Sequence, residues 1–234
     1  MPIESPRVAR DLPGVSVDLT TELRWFFDGP LPAEVRSWFM PNGVGLLQHR
    51  CDTYVSGGRC DIGVKQRFRQ TLELKIRTGS AEPAWVADDV HGNIETWRRW
   101  SPADRLLSLA DDTIWVDIEK TIVKRRFGTD GQPRLLSEAT RTMSGAGCDA
   151  EIAALSVNGR EAWTLAFASF GHPDTHRNSL RTAWRSLNMR QAPATRLQLG
   201  LGNSFGYPEW ISKVLSATTP SPGRSASHLR LQPL

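Results

Sequence analysis

Lys65, Arg67 and Arg69 occupy every second position in "DIGVKQRFR", and Lys75 and Arg77 repeat that spacing in "LELKIR". Cations spaced by two project from one side of an extended chain, because strand side chains alternate between faces. Arg24, in "TTELRW", adds a sixth cation. Such a set suits phosphate oxygens: arginine offers a planar fork of donors and lysine a compact point charge. Glu22, Asp61 and Glu73 share these parities, so six cations stand against three carboxylates. Burying the surplus costs on the order of several kcal/mol per uncompensated ion, and a bound phosphate or polyphosphate relieves it. The alternative is a half-exposed sheet whose charges pair across strands for about 0.2–1 kcal/mol each.

A third run, "TIWVDIEKTIVKRRF" (113–127), separates Asp117, Glu119 and Thr121 from Lys120, Lys124 and Arg126. Either face can point inward, since a bulge switches parity. Lys120 and Arg126 are the candidates for an anion; Glu119 is the alternative, as a metal ligand. Magnesium needs oxygen ligands, usually one or two carboxylates plus substrate phosphates. Glu22, Glu73 and Glu151 sit at parities where an inward carboxylate could serve, and each could equally pair with a neighbouring Arg or Lys.

Other chemistries find little support. The five histidines show no zinc-like spacing with acids or cysteines, no G-x-S-x-G elbow is present, and "GLGNSFG" lacks the Lys-Ser/Thr of a phosphate-binding P-loop. Trp97, Trp100, Trp115, Trp163 and Trp210 could stack on a base; flanked by apolar residues, they read as packing between sheet and helices.

The elements that would position these residues are mostly strands. "VSVDLTTELRWFF" (15–27) is β-rich, "LPAEVRSWF" reads as a short helix with Pro32 in its first turn, and "HRCDTYV" leads through "GG" into the alternating pair. "GNIETWRRW" is a short strand and "SPADRLLSLADD" a helix capped by Ser101. The stretch 139–171 holds two or three strands with Asn158–Gly159 as a hairpin turn; "HRNSLRTAWRSL" and "YPEWISKVLSA" are helices. The expectation is one α+β domain over 15–216, between a loose arm (1–14) and a Ser/Pro/basic tail (217–234) that reads as disordered. About eight antiparallel strands with a few short peripheral helices curl or close into a tunnel or half-open barrel, wide enough for one small ligand.

Composition narrows the partners. A net charge of +4 with pI about 9.2 falls short of a dedicated nucleic-acid binder. Cys51, Cys60 and Cys148 are odd in number and lack CxxC spacing, which points to reduced thiols. The start lacks a signal-peptide core and no 18-residue apolar run occurs. A soluble cytoplasmic protein with no membrane segment is expected; its oligomeric state is left open.

The motifs "CDTYV…DIGVKQR…LELKIRTG" resemble the CYTH-type domain of class IV adenylyl cyclases and thiamine triphosphatases, the triphosphate tunnel metalloenzymes. "ETWRRW", "WVDIEKT", "GCDAEIAALSV" and "SFGYPEWI" look like an uncharacterised bacterial branch, and the resemblance spans about 17–212. It implies an eight-stranded antiparallel tunnel that binds a triphosphate-like anion through basic residues and Mg2+ through acidic ones, with metal-dependent hydrolysis or transfer at a phosphoanhydride. Two departures count against that chemistry. The first-strand pattern E-x-E-x-K stands here as Thr20, Glu22 and Arg24, and a late acidic position is Ala168. A binding-only or partner-docking descendant is the other expectation.

Overall fold

Antiparallel pairing of alternating segments closes this chain into a barrel. In a computed structural model the strands are β1 (Val15–Asp28), β2 (Leu46–Val55), β3 (Ile62–Arg67), β4 (Thr71–Arg77), β5 (Glu82–Ala87), β6 (Val90–Pro102), β7 (Trp115–Gly128), β8 (Pro133–Arg134), β9 (Gly147–Val157) and β10 (Arg160–Phe170). The helices are α1 (Ala33–Phe39), α2 (His176–Ser186) and α3 (Tyr207–Ser216). The structure describes residues 15–56, 59–67, 71–87, 90–102, 115–134, 136, 145–187, 192–193 and 197–216. The arm 1–14 and the tail 217–234 expected from sequence lie outside these residues, as does Arg69.

Eight strands follow the order β1-β10-β9-β7-β2-β3-β4-β6, and β6 pairs back onto β1, so the sheet has no free edge along this path. Every pairing is antiparallel. β5 lies against the first part of β6, and β8 against the end of β7. β5 was not anticipated; its Pro83 is tolerated because β5 pairs on one side only. The β9–β10 hairpin turns at Asn158 and Gly159, both at positive φ (50° and 75°), as a two-residue primed turn requires.

One sequence expectation gives way here. Ser101 and Pro102 do not open a helix. They extend β6 and pair with Ser16 and Val15, because the start of β1 supplies a partner strand. The rest of that segment, 103–112, lies outside the described residues.

The strands have two different faces. On one face Leu23 and Trp25 of β1, Val123 and Phe127 of β7, Ile152 of β9, and Leu165 and Phe167 of β10 form an apolar cluster. It is covered by Val35 and Phe39 of α1, four apart and therefore on one helix face, and by Leu180, Ala183 and Trp184 of α2. α1 and α2 sit outside, so the opposite parity faces the lumen. A second apolar cluster lies within the barrel at one end, where Phe26, Tyr54, Val116, Ile118 and Leu155 meet Phe205 and the α3 residues Trp210 and Ile211. Phe26 stacks on Trp210 at 5.0 Å between ring centroids and Tyr54 on Tyr207 at 5.4 Å, so α3 plugs this end.

Candidate functional site: the charged lumen

Above the plug the inward positions are charged on nearly every strand. Registry places Arg24 opposite Ala166, Lys124 opposite Glu151, Arg126 opposite Asp149, Asp52 opposite Arg67, Lys65 opposite Glu73, and Lys75 opposite Arg99. Among the described residues the lumen holds Arg24, Arg50, Lys65, Arg67, Lys75, Arg77, Arg99, Lys120, Lys124 and Arg126. Its carboxylates are Asp18, Glu22, Asp52, Glu73, Glu95, Asp149 and Glu151. Cations exceed carboxylates by three.

Each of those carboxylates is ion-paired, and most hold more than one cation. Glu73 meets Lys65 and Arg67 at 2.9 Å each and Arg99 at 3.8 Å. Asp52 lies 3.2 Å from both Arg50 and Lys120. Arg126 donates to both oxygens of Asp149 at 2.6 and 3.0 Å, with Lys124 3.5 Å away. Two contacts reach over an intervening strand: Lys75 of β4 donates to Glu22 of β1 at 2.5 Å, and Arg24 of β1 meets Glu151 of β9 at 3.3 Å. Thr20 also donates to Glu22, at 2.9 Å.

Burial and charge then compete at each group. Burial alone raises the Glu22 pKa, but Lys75 and Arg24 outweigh it and hold the carboxyl at about 2. Glu73 and Glu151 are likewise held low against burial, the first mainly by Lys65 and Arg67, the second by Lys124 and Arg24. Glu95 goes the other way: burial lifts it despite hydrogen bonds from Arg77 and the Trp97 indole. Among the cations, burial and the neighbouring Arg67 pull Lys65 down to about 8, Glu73 only partly opposing them. Burial pushes Lys120 well below the ordinary lysine range.

Lys120 sits where the charged zone meets the plug. Its Nζ donates to the Tyr54 hydroxyl at 2.7 Å and lies 3.8 Å from the centre of the Tyr207 ring. Arg24 stacks over the same ring at 4.8 Å. Tyr207 thus forms an aromatic floor that stabilises two cations from below.

The structure therefore brings Arg24, Lys65, Arg67, Lys75, Arg77, Lys120 and Arg126 into one lumen with Glu22, Glu73 and Glu151. Glu119 stands apart, exposed on the outer face of β7, because unbroken pairing with β9 keeps Lys120, Lys124 and Arg126 inward without a bulge. Asp61 is drawn to the exposed Arg59 at the rim. Sequence reasoning passed over Arg50, Asp52, Glu95, Arg99 and Asp149, although the alternations 50/52/54, 95/97/99 and 149/151 carry the same signal as 61–77. Tyr207 had no such signal, since it belongs to a helix.

Residues present do not fit a magnesium site as arranged. Among the described residues no three His, Cys, Asp or Glu side chains converge in a way that could hold a metal ion. The donors that Mg2+ would need are already engaged by ammonium and guanidinium groups. His176 has a structural role: its ring bonds the Thr21 hydroxyl at 2.9 Å and the Gly171 carbonyl at 3.1 Å, tying α2 to β1. A cavity of about 1000 Å³ lies away from the cations; Asp28 and Glu34 are its charged lining residues.

No helix among the described residues is long and apolar enough to cross a membrane. The closed eight-stranded antiparallel barrel is compatible with a CYTH-like tunnel fold. No protein-family model matches the chain, and no curated protein matches it.

Proposed function

We propose that this chain is a CYTH-like tunnel protein that binds a phosphorylated or polyphosphate-containing small molecule in its basic lumen. The observation that carries this is the surplus of inward cations over carboxylates, with Glu73, Asp52, Asp149 and Glu151 each shared between two or more of them. Shared carboxylates leave donor capacity on arginines and lysines that an entering phosphate would complete. A polyanion also neutralises the charge excess that burial makes unfavourable. The ligand is small, because the cations lie inside a barrel plugged by α3 rather than along an outer groove that a nucleic acid strand could follow. Cys51, Cys60 and Cys148, none of them in a disulfide, suit the reducing cytoplasm.

Binding, rather than phosphoanhydride hydrolysis, is the activity favoured. Metal-dependent attack on a phosphoanhydride needs carboxylates free to hold the ion, and those of the lumen are engaged.

Thermal unfolding with tripolyphosphate, ATP and thiamine triphosphate tests the proposal. A stabilising shift is expected with at least one of them, lost in Arg67→Ala and in Lys75→Ala. Absence of any shift in the wild-type protein would sink the phosphate assignment.

A further inference from the structure

Lys75 holds Glu22 over the intervening β6, and Lys124 lies between Asp149 and Glu151, 3.5 Å from one and 3.7 Å from the other. An ammonium that bridges carboxylates from different positions supplies, in part, what a bound divalent ion supplies: local positive charge facing the lumen. We infer that the tunnel takes its polyanion in the metal-free form, with its own ammonium and guanidinium groups as the neutralising cations. This rests on the phosphate proposal above and adds which ionic species is recognised.

Three observations converge on it. Both oxygens of Glu73 are covered, one by Lys65 and one by Arg67, each at 2.9 Å. Both oxygens of Glu151 are approached as well, one by Arg24 and the other by Lys124. A divalent ion entering at either carboxylate would first have to displace a cation and would then sit against the displaced charge. Second, no three potential metal-binding side chains converge among the described residues. Third, the lumen is already net positive. A magnesium–polyphosphate complex carries less negative charge to it than the free anion and presents oxygens that the metal has occupied. The free anion offers more charge and more acceptor oxygens to the same donors.

The test uses the full chain and has two independent arms. In the first, Mn2+ alone is titrated and read by electron paramagnetic resonance. The inference expects no binding that differs between wild type, Glu22→Gln and Glu151→Gln. Mn2+ that binds the wild type and is lost in either folded variant overturns it, with the phosphate proposal untouched; two variants guard against one failing to fold. In the second arm, sodium tripolyphosphate is titrated calorimetrically in EDTA and again with magnesium in excess. Binding in EDTA is expected, with apparent affinity about tenfold weaker in magnesium because the free anion is depleted by mass action. Binding only with magnesium overturns the inference alone. No binding under either condition removes both this inference and the tripolyphosphate form of the proposal.

Discussion

Lys120 Nζ stands 3.2 Å from an Asp52 oxygen at a depth where neither side chain has more than a trace of solvent contact (1% and 0%). The pair sits above the aromatic plug, and Arg50 approaches the same carboxylate. Neither Asp52 oxygen makes a well-aligned hydrogen bond, so charge rather than directional bonding holds the group. Removing one partner of a buried pair leaves the other uncompensated, which costs about 3–5 kcal/mol. Asp52→Ala is therefore expected to destabilise by that order in urea unfolding, and adding Lys120→Met to recover most of it. A double variant no more stable than the single one would show that the pair is not energetically coupled.

Lys65 gives the fold an alkaline dependence. Its pKa falls from the ordinary 10.5 to about 8, so the unfolded chain holds the proton more tightly than the folded one. Between those values the unfolded state binds more protons, and stability rises with pH; below about 8 the burial penalty is fully present. Lys65→Met should remove this rise, measured as urea midpoints across that window. Polyanion affinity should run the opposite way, falling above about 8 as Lys65 loses its charge.

Glu22 acts on the acid side. With its pKa depressed from 4.5 to about 2, the unfolded carboxyl protonates first. Its contribution is present above 4.5 and is lost as pH falls through about 2. Thermal midpoints of Glu22→Gln should start lower at neutral pH and decline less steeply over that interval. Parallel curves for variant and wild type would contradict the assignment of Lys75 and Arg24 as its stabilisers.

Two glycines should respond oppositely to alanine. A Cβ at Gly147 would lie 2.4 Å from the Phe127 carbonyl oxygen, a backbone atom of the neighbouring β7 that cannot move without disturbing the ladder. Gly147→Ala is expected to cost about 1–3 kcal/mol. At Gly202 a Cβ meets nothing within 4 Å and φ is not in the left-handed region. Gly202→Ala should be neutral or stabilising by up to about 1 kcal/mol, through the unfolded state. Denaturant midpoints of the two variants, run side by side, check both.

Much of this architecture was legible from local alternation. Period two in 61–77 marks strands with one charged and one apolar face, and that separation holds among the described residues: Lys65, Glu73 and Lys75 face the lumen. Turn chemistry at Asn158–Gly159 and the apolar spacing of Leu180, Ala183 and Trp184 are likewise local, and they located the hairpin and α2. These features depend only on residues near one another in the chain.

What remained undecided depends on partners far apart in sequence. Alternation in 113–127 distinguishes two faces without saying which is inside; the helix side of the barrel and continuous pairing with β9 turn Lys120 inward and Glu119 out. Ser101 and Pro102 carry good helix-start chemistry, yet the distant start of β1 offers them a ladder. Closure itself rests on β1 bridging β6 and β10, strands nearer the middle and the end of the chain. Only that closure sets Lys75 against Glu22 and Arg24 against Glu151. Sequence alone determined that this chain has a charged face; the long-range hydrogen bonds of the barrel decided that the face is an interior, and which cation each carboxylate keeps.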